Sequence, residues 1–288
     1  KLMGIKISIK NGYVIAERKK NNLNPIDHKF PKISVGATQN ILMAASLADG
    51  KSTLKNCAIE PEVIDLINFL NKCGALIKIR NRTITIRGVK ELKLKDYKII
   101  PDRIEAGSYI LATMATKGRV KLNNFNPKDL AIPLKVYKEM GLKIKKLSNS
   151  SFEIYCKTLK PIKKISTKEF PGYPTDLQAQ LIATQLKSAL KSKVVENIFE
   201  NRFIHIPELR RFGANLSIIG KTVTIHKTLN LFGAEVMATD IRASFSLIIA
   251  AMMSRGTTVI NRIYHLDRGY EDFDLKLKKC GVNISRKK

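Results

Sequence analysis

One carboxylate stands where a helix is predicted to begin, within residues 171–180 (Pro-Gly-Tyr-Pro-Thr-Asp-Leu-Gln-Ala-Gln). Pro174 restricts its own φ angle and keeps Tyr173 out of the helical region, so the backbone before Asp176 is stiff. Thr175 or Asp176 would make a good N-cap for the apolar run that follows. A carboxylate held rigidly at this point could also act as a general base toward a substrate hydroxyl. The residue types alone do not choose between a helix cap and a base.

Arginines accompany carboxylates at several other predicted helix starts. Guanidinium groups bind phosphates and carboxylates through two parallel hydrogen bonds, and a helix N-terminus adds positive potential for an anion. The arginine candidates are Arg103, Arg202, Arg242 and Arg268. The carboxylate candidates are Glu60, Glu62, Asp102, Glu105, Asp176, Glu200, Asp240 and Asp267. The pattern fits a site for a multiply anionic small molecule, and it fits an ion-pair network between structural units equally well.

The helix starts recur because the chain is a repeat. Modules A, B and C each predict a helix, a strand, a second helix and a hairpin, whereas module D ends after its second helix and the start of a strand at residue 282. An Asn11-Gly12 hairpin signal precedes module A. The modules open near residues 34, 103, 176 and 242, and their second helices end at Gly74, Gly141, Gly213 and Gly281. A near-constant period with one element order predicts small α/β modules that pack helices behind sheets.

The composition indicates a globular, strongly basic protein in a reducing compartment. The net charge is +28, and the lysines lie in small scattered groups without interleaved aromatic residues. This distribution favours a solvated surface over a nucleic-acid face. Cysteines 57, 73, 156 and 280 form no CxxC pair, and the four histidines lack the spacing of metal ligands. We find no signal-like segment and no apolar run long enough to cross a bilayer.

Several motifs, taken together, resemble the UDP-N-acetylglucosamine 1-carboxyvinyltransferase family, one of the enolpyruvyl transferases. The resemblance covers nearly the whole chain in order, with little gapping. The motifs are residues 34–38 (Ser-Val-Gly-Ala-Thr), 60–62 (Glu-Pro-Glu), 101–107 (Pro-Asp-Arg-Ile-Glu-Ala-Gly), 174–180 (Pro-Thr-Asp-Leu-Gln-Ala-Gln), 198–203 (Ile-Phe-Glu-Asn-Arg-Phe), 207–211 (Pro-Glu-Leu-Arg-Arg), 240–244 (Asp-Ile-Arg-Ala-Ser) and 262–271 (Arg-Ile-Tyr-His-Leu-Asp-Arg-Gly-Tyr-Glu).

The resemblance implies an α/β (α+β) fold built from pseudo-threefold repeats of βαβαββ-type units. It implies the two-domain, inside-out α/β barrel architecture of enolpyruvyl transferases, with part of the catalytic-side domain lacking. Residues 1–98 would form that partial domain, as the tail of one unit plus one full unit. Residues 99–288 would form the second domain, with repeat units at about 99–160, 161–236 and 237–288.

The resemblance also implies a reaction and a set of site residues. The enolpyruvyl group of phosphoenolpyruvate would pass to the 3′-hydroxyl of UDP-N-acetylglucosamine, the first committed step of peptidoglycan synthesis, in the cytoplasm and without a metal or cofactor. Residues matching catalytic positions are Asp176, Arg242 and Arg268. Residues matching substrate-binding positions are Lys32, Ile33, Ser34, Val35, Asp176, Ile198 and Arg202.

The family pattern is longer at its N-terminus, where about a third of it, including a mobile loop with a reactive cysteine, has no counterpart here. None of the four cysteines lies in that loop's motif, and Ile59 stands where an arginine is expected. We therefore expect this chain alone not to complete the catalytic cleft. A remnant that binds a nucleotide sugar or nothing, and a basic protein associated with nucleic acid, stay open as alternatives.

Overall fold

The computed structural model describes residues 1–18, 22–188 and 190–287. They divide into two compact units, Lys1–Ile100 and Pro101–Lys288, and each unit has its own apolar core. The predicted domain ranges, 1–98 and 99–288, stay predictions, and residues 19–21, 189 and 288 within them lie outside the described part of the chain.

The first unit contains a hairpin followed by one complete module. The hairpin turns at Asn11 and Gly12, whose φ angles of +52° and +79° confirm the predicted turn. Its strands are β1 (Ile5–Lys10) and β2 (Tyr13–Arg18). Module A comprises β3 (Asp27–Lys29), α1 (Val35–Ala45), β4 (Lys51–Lys55), α2 (Pro61–Lys72), β5 (Leu76–Arg80) and β6 (Thr83–Arg87).

Module A folds as a βαβαββ unit with one mixed sheet. The spatial strand order is β3-β4-β6-β5, in which β3 and β4 are parallel and the other neighbours are antiparallel. In β4 and β6 buried residues alternate with less buried ones, as expected for strands with one covered face. The apolar sides of α1 and α2 complete the core of this unit.

The second unit repeats the same order three times, with local omissions. Module B has α3 (Arg103–Ala115), β7 (Arg119–Leu122), α4 (Ala131–Glu139), β8 (Lys143–Lys146) and β9 (Phe152–Tyr155). Module C has β10 (Lys164–Ser166), α5 (Gln178–Thr184), β11 (Ser192–Val195), α6 (Ile206–Arg211), β12 (Leu216–Ile219) and β13 (Thr222–Ile225). Module D has β14 (Glu235–Met237), α7 (Ser244–Met253), β15 (Val259–Asn261), α8 (Tyr264–Asp267) and α9 (Phe273–Lys279).

The sheets show how closely the modules match. Module C has the order β10-β11-β13-β12, the same topology as module A. Module B has the order β7-β9-β8, and module D the parallel pair β14-β15. The expected mixed α/β repeat is therefore confirmed. The predicted strand beginning at residue 282 is wrong, because residues 282–287 find no hydrogen-bonded strand partner in the described chain.

Three helices, one from each module, form the centre of the second unit. Helices α3, α5 and α7 contact one another pairwise. All seven residues of α5 are buried, and most residues of α3 and α7 are buried too. The close approach depends on Gly107, where a Cβ atom would lie 2.7 Å from Leu177 Cδ1. Because these helices are covered on nearly all sides, packing against one another and against the sheets determines where they lie in the unit.

Three buried polar side chains hydrogen-bond to one another beside this helix trio, although Gln180 Oε1 has no partner in the described chain. The Tyr270 hydroxyl lies 2.8 Å from Ser108 Oγ, and Gln180 Nε2 donates to both oxygens at 3.1 Å. Each of the three residues comes from a different module. A buried polar group without a partner costs about 1–3 kcal/mol, so this network helps to place α3 and α5 against Tyr270, whose ring stacks on Phe245 of α7 at 4.5 Å.

We predict that Gly88→Ala strongly destabilises the first unit. A Cβ atom there would lie 1.7 Å from the Ala48 carbonyl oxygen, so the backbone must move, at a cost of about 3 kcal/mol. Urea unfolding measures the loss. The matched variant Gly36→Ala places its new methyl group in open space on α1 and should be neutral or stabilising by up to about 1 kcal/mol. Equal effects of the two variants would contradict the packing argument.

Candidate active site

Asp176 is held by an arginine and does not cap a helix. Thr175–Leu177 form a short 3₁₀ turn before α5, and neither the turn nor the helix has a side-chain N-cap. Asp176 Oδ1 instead accepts a hydrogen bond from Arg202 Nη2 at 2.5 Å. The interpretation of Thr175 or Asp176 as a helix cap is therefore wrong, because both side chains bond to groups outside the helix.

Glu196 organises the two segments that meet at Asp176. Its carboxylate is 2% exposed. Oε1 accepts hydrogen bonds from the Thr167 hydroxyl at 2.9 Å and from the backbone N–H groups of Ile198 and Phe199 at 2.8 and 3.1 Å. Oε2 accepts from Thr175 Oγ1 at 2.7 Å. Glu196 is not among the carboxylates that the sequence motifs predict. Its position directly after the apolar end of β11 was the one sequence feature that indicated a buried carboxylate.

Arg202 connects the loop after β11 to the start of α5. Its guanidinium donates to Thr175 Oγ1 at 2.8 Å and to Asp176, and it lies 4.9 Å from the Phe199 ring centre. Its backbone carbonyl accepts from Gln178 Nε2 at 3.0 Å. Arg202 is thus fixed at both its side chain and its backbone, and only 20% of its side chain is exposed. The structure therefore brings Asp176, Ile198 and Arg202 together.

Arg242 joins two modules at their helix starts. Its Nη2 donates to Asp102 Oδ2 at 2.9 Å, while Nη1 donates to the Gly269 carbonyl at 3.1 Å. The guanidinium also lies 5.4 Å from the Tyr270 ring centre. Asp102 Oδ1 caps α3 by accepting from the Ile104 N–H at 2.7 Å. One carboxylate therefore terminates a helix of module B and pairs with an arginine of module D.

Electrostatics place Asp176 and Arg242 in the same cluster. Burial removes water from the Arg242 guanidinium and would lower its pKa, but Asp102, Tyr270 and Asp176 together raise that pKa above its ordinary value. Arg242 is therefore charged at any physiological pH. The field of Asp176 reaches it although no direct hydrogen bond joins the two side chains.

Arg268 is exposed and carries a guanidinium without a hydrogen-bond or ion-pair partner in the described chain. It follows the last residue of α8 and precedes Gly269, whose carbonyl Arg242 holds. The backbone at Arg268 is thus fixed beside Arg242, while its side chain is available to an anion.

The other predicted binding residues belong to the first unit. Ser34 caps α1, since its Oγ accepts from the Ala37 N–H at 3.3 Å and its carbonyl accepts from Thr38 Oγ1 at 2.7 Å. Lys32 is exposed, and Ile33 and Val35 are half-buried. Residues 32–35 therefore form the approach to a well-capped helix N-terminus.

A groove of about 500 Å³ near Arg268 does not suit an anionic ligand. It is lined by Asp267, Tyr270, Glu271, Asp272, Asp274, Leu275 and Arg286. Four carboxylates against one arginine give the groove a negative potential. Within the described part of the chain, no three His, Cys, Asp or Glu side chains are placed so that they could hold a metal ion together.

Comparison with known proteins identifies the family. The model of the EPSP synthase (3-phosphoshikimate 1-carboxyvinyltransferase) family matches residues 1–277. A UDP-N-acetylglucosamine 1-carboxyvinyltransferase from Pelagibacter ubique (strain HTCC1062) is 49% identical over 287 residues, which cover 99% of this chain and 68% of that protein. The chain belongs to the UDP-N-acetylglucosamine 1-carboxyvinyltransferase family. The resemblance inferred from the motifs is confirmed, and the protein is a member of the enolpyruvyl transferases.

Other relatives of this carboxyvinyltransferase family member agree. The UDP-N-acetylglucosamine 1-carboxyvinyltransferase of Campylobacter hominis (strain ATCC BAA-381) is 44% identical, with coverage of 99% of this chain and 68% of that protein. The enolpyruvyl transferase NikO from Streptomyces tendae superposes with a TM-score of 0.87 at 23% identity, over 99% of this chain and 70% of that chain. The NikO likeness supports the fold alone. The chain spans about two thirds of the length of these proteins.

The helices of this family member give no sign of a membrane span. In residues 1–18, 22–188 and 190–287, none is both long enough and apolar enough to cross a bilayer.

His205 is fully buried and lies within electrostatic range of Arg202 and Asp240. Neither ring nitrogen has a hydrogen-bond partner in the described chain. Burial lowers the pKa of the His205 imidazole to about 4, with the nearby Asp240 opposing this shift and Arg202 adding to it. His205 is therefore neutral near pH 7, and it adds no charge to the cluster.

We predict that His205 makes folding sensitive to mild acid. The unfolded chain binds a proton on this side chain near pH 6.5, whereas the folded chain binds it only near pH 4. The free energy of unfolding should therefore fall by about 3 kcal/mol as the pH drops from 6.5 to 4. His205→Gln should remove this part of the pH dependence of the unfolding free energy, which urea unfolding between pH 6.5 and 4 measures. His226→Gln is the control, and an unchanged slope in His205→Gln would contradict the assignment.

We predict that Glu196→Gln destabilises the second unit by about 2–3 kcal/mol. The amide replaces one acceptor oxygen by a donor that faces the Thr175 hydroxyl or the Ile198 and Phe199 N–H groups. Chemical denaturation measures the loss. The exposed Glu200→Gln, four residues away, should change stability by less than about 0.5 kcal/mol. A Glu196→Gln variant as stable as Glu200→Gln would show that the bond pattern does not hold the loop.

Proposed function

We propose that the protein transfers the enolpyruvyl group of phosphoenolpyruvate to the 3′-hydroxyl of UDP-N-acetylglucosamine and releases phosphate. The observation that carries the proposal is the identity of 44–49% over 99% of the chain to relatives that bear the name of this transferase. The described geometry supports it, because Arg202 and Arg242 pair with carboxylates at the starts of α5 and α3, and Arg268 lies on the turn whose Gly269 carbonyl Arg242 binds. The non-catalytic and nucleic-acid alternatives find no support in these relatives.

Asp176 is suited to accept the proton of the sugar hydroxyl. Arg202 holds Oδ1, while Oδ2 has no hydrogen bond within the described chain, and 38% of the side chain is exposed. One oxygen therefore orients the carboxylate and the other faces the reactant. A general base placed in this way contributes about 10²–10⁴-fold to a rate.

The chemistry fixes what the arginines must do. The hydroxyl oxygen bonds to C2 of phosphoenolpyruvate while C3 takes up a proton, and the resulting tetrahedral intermediate still carries its phosphate and carboxylate. Loss of phosphate and of a C3 proton then restores the vinyl group. Arg242 and Arg268 would stabilise these anionic groups, since preorganised charges act most strongly where little reorganisation is needed. Arg202 would serve through its hold on Asp176 and through its own charge.

Residues 32–35 of the first unit would bind the nucleotide part of the substrate. The start of α1 after Ser34 presents backbone N–H groups and positive potential to a diphosphate, and Lys32 adds a cation. Ile33 and Val35 would contact the uridine, and Ile198 of the second unit would be a further substrate-binding residue. This chemistry needs no metal or redox cofactor as the family performs it. The reaction would make the protein a cytoplasmic enzyme of peptidoglycan synthesis, acting on two small-molecule substrates.

Asp176→Asn tests the proposed base. Asparagine keeps the size of the side chain and can accept from Arg202, but it cannot take a proton at neutral pH. We expect kcat to fall by about 10²–10⁴-fold, with the KM for each substrate changing less. Phosphate release from phosphoenolpyruvate and UDP-N-acetylglucosamine by the full encoded protein measures the rate.

The control for Asp176→Asn is Asp96→Asn, which changes an exposed carboxylate of the first unit. It should leave kcat within about twofold of the unmodified protein. Unchanged turnover in Asp176→Asn would remove Asp176 from the role of base. No phosphate release by the unmodified protein with these two substrates would refute the proposed function itself.

A further inference from the structure

Arg286 lies in the C-terminal tail and grips two carboxylates. Nη2 donates to Asp267 Oδ1 at 2.6 Å, and Nη1 donates to Asp267 Oδ2 at 3.1 Å. Nη2 also lies 3.0 Å from Asp274 Oδ1, and the guanidinium stacks 5.0 Å from the Phe273 ring centre. The hydrogen bonds that Arg286 donates to Asp267 and Asp274 raise the pKa of its guanidinium above the ordinary value. A bidentate arginine–carboxylate pair fixes both distance and orientation.

Asp267 and Asp274 flank the short turn that contains Arg268. Asp267 is the last residue of α8, and Asp274 is the second residue of α9. The five residues between α8 and α9 begin with Arg268 and end with Asp272, whose φ angle of +45° is left-handed. Asp tolerates this conformation better than most residues other than glycine, and it marks Asp272 as the end of a tight turn before α9.

Arg242 holds the same turn from its other side. Its Nη1 donates to the Gly269 carbonyl, and a Cβ atom at position 269 would lie 2.6 Å from Ile241 Cγ1. The turn therefore packs directly against the start of module D. With one side fixed by Arg242 and both ends bridged by Arg286, the backbone of Arg268 has little freedom.

We propose that Arg286 is a positioning residue for Arg268. It closes the ends of the turn and so aims the Arg268 guanidinium at the anionic substrate, without touching that substrate itself. The inference rests on the proposed function, in which Arg268 binds an anionic group of phosphoenolpyruvate or of the reaction intermediate.

We call Arg286 with Asp267 and Asp274 the clamp. Its partial exposure indicates that loss of Arg286 affects the turn locally rather than the stability of the whole unit. The side chains of Arg286 and Asp267 are 38% and 41% exposed, and an ion pair in that range contributes little to global stability, whereas the side chain of Asp274 is 16% exposed. The contacts that Arg286 makes are confined to the residues flanking the turn and to Phe273. Loss of Arg286 should therefore loosen the turn while the helix trio and the sheets stay folded.

Arg286→Gln in the full encoded protein tests the proposal. We expect kcat/KM for phosphoenolpyruvate to fall by about tenfold or more, because displacing a binding group by about 1 Å has an effect of at least that size on the rate. The KM for UDP-N-acetylglucosamine should stay within about twofold. Hydrogen–deuterium exchange should become faster at the amides of residues 268–272 and remain unchanged in α3, α5 and α7. Arg286→Lys keeps the charge but not the bidentate geometry, and it should recover only part of the rate.

Arg119→Gln is the matched control. Arg119 also pairs with a carboxylate, Glu153, at 3.5 Å and stacks on the Tyr155 ring at 5.0 Å, but it lies on β7. This variant should leave both kinetic constants and the exchange of residues 268–272 unchanged. A loss of rate equal to that of Arg286→Gln would overturn the proposal.

A double variant separates failure of this inference from failure of the proposed function. If Arg286 acts through Arg268, Arg286→Gln should cost nothing further in an Arg268→Gln background. A multiplicative loss, or a single Arg286→Gln variant with normal kinetics, overturns the positioning role while Arg268 keeps its own. An Arg268→Gln variant with normal kinetics overturns both the positioning role of Arg286 and the proposed anion-binding role of Arg268. Absence of turnover in the unmodified protein refutes the proposed function, and unchanged exchange at residues 268–272 in Arg286→Gln then independently overturns the clamp.

Discussion

The second unit depends on the complete burial of its three central helices. Helices α3, α5 and α7 are covered on nearly all sides, so charged groups can emerge only where the helices begin. Those beginnings carry Asp102, Asp176 and Asp240. The hydrogen bonds among Ser108, Gln180 and Tyr270 help to place α3 and α5. The collection of charges in one region is therefore a consequence of helix packing, and a site for anions follows from it.

The ion pairs of this region serve structure and chemistry together. Asp102 caps α3 through one oxygen and binds Arg242 through the other, which joins modules B and D. Asp176 is oriented by Arg202 through one oxygen and keeps the other available. The sequence presented a substrate site and a structural network as competing interpretations. The contacts show that a carboxylate has enough acceptor positions to take part in both.

The local features of this fold could be predicted from the sequence, whereas its long-range pairings could not. The hairpin at Asn11 and the helix stops at Gly74 and Gly213 depend on neighbouring residues only, and all have the expected positive φ angles. Arg242 finds Asp102 across 140 residues, which no spacing rule reveals. Adjacent residues on a helix point in different directions, so the neighbouring Arg103 faces the Phe170 ring instead. Glu196 escaped notice because its four partners come from three separate segments.

The balance of charge explains why one arginine differs from the others. Arg202 with Asp176 and Arg242 with Asp102 are compensated pairs, and the buried His205 is neutral. A protonated His205 would place a further positive charge near Arg202, at the cost of its own desolvation. Arg268 alone among these cations presents an uncompensated guanidinium within the described chain. An anion that binds near these helix starts would therefore meet one unpaired guanidinium, that of Arg268. The turn that carries Arg268 is held by residues outside it, and the position of this turn determines how closely the guanidinium can approach the anion.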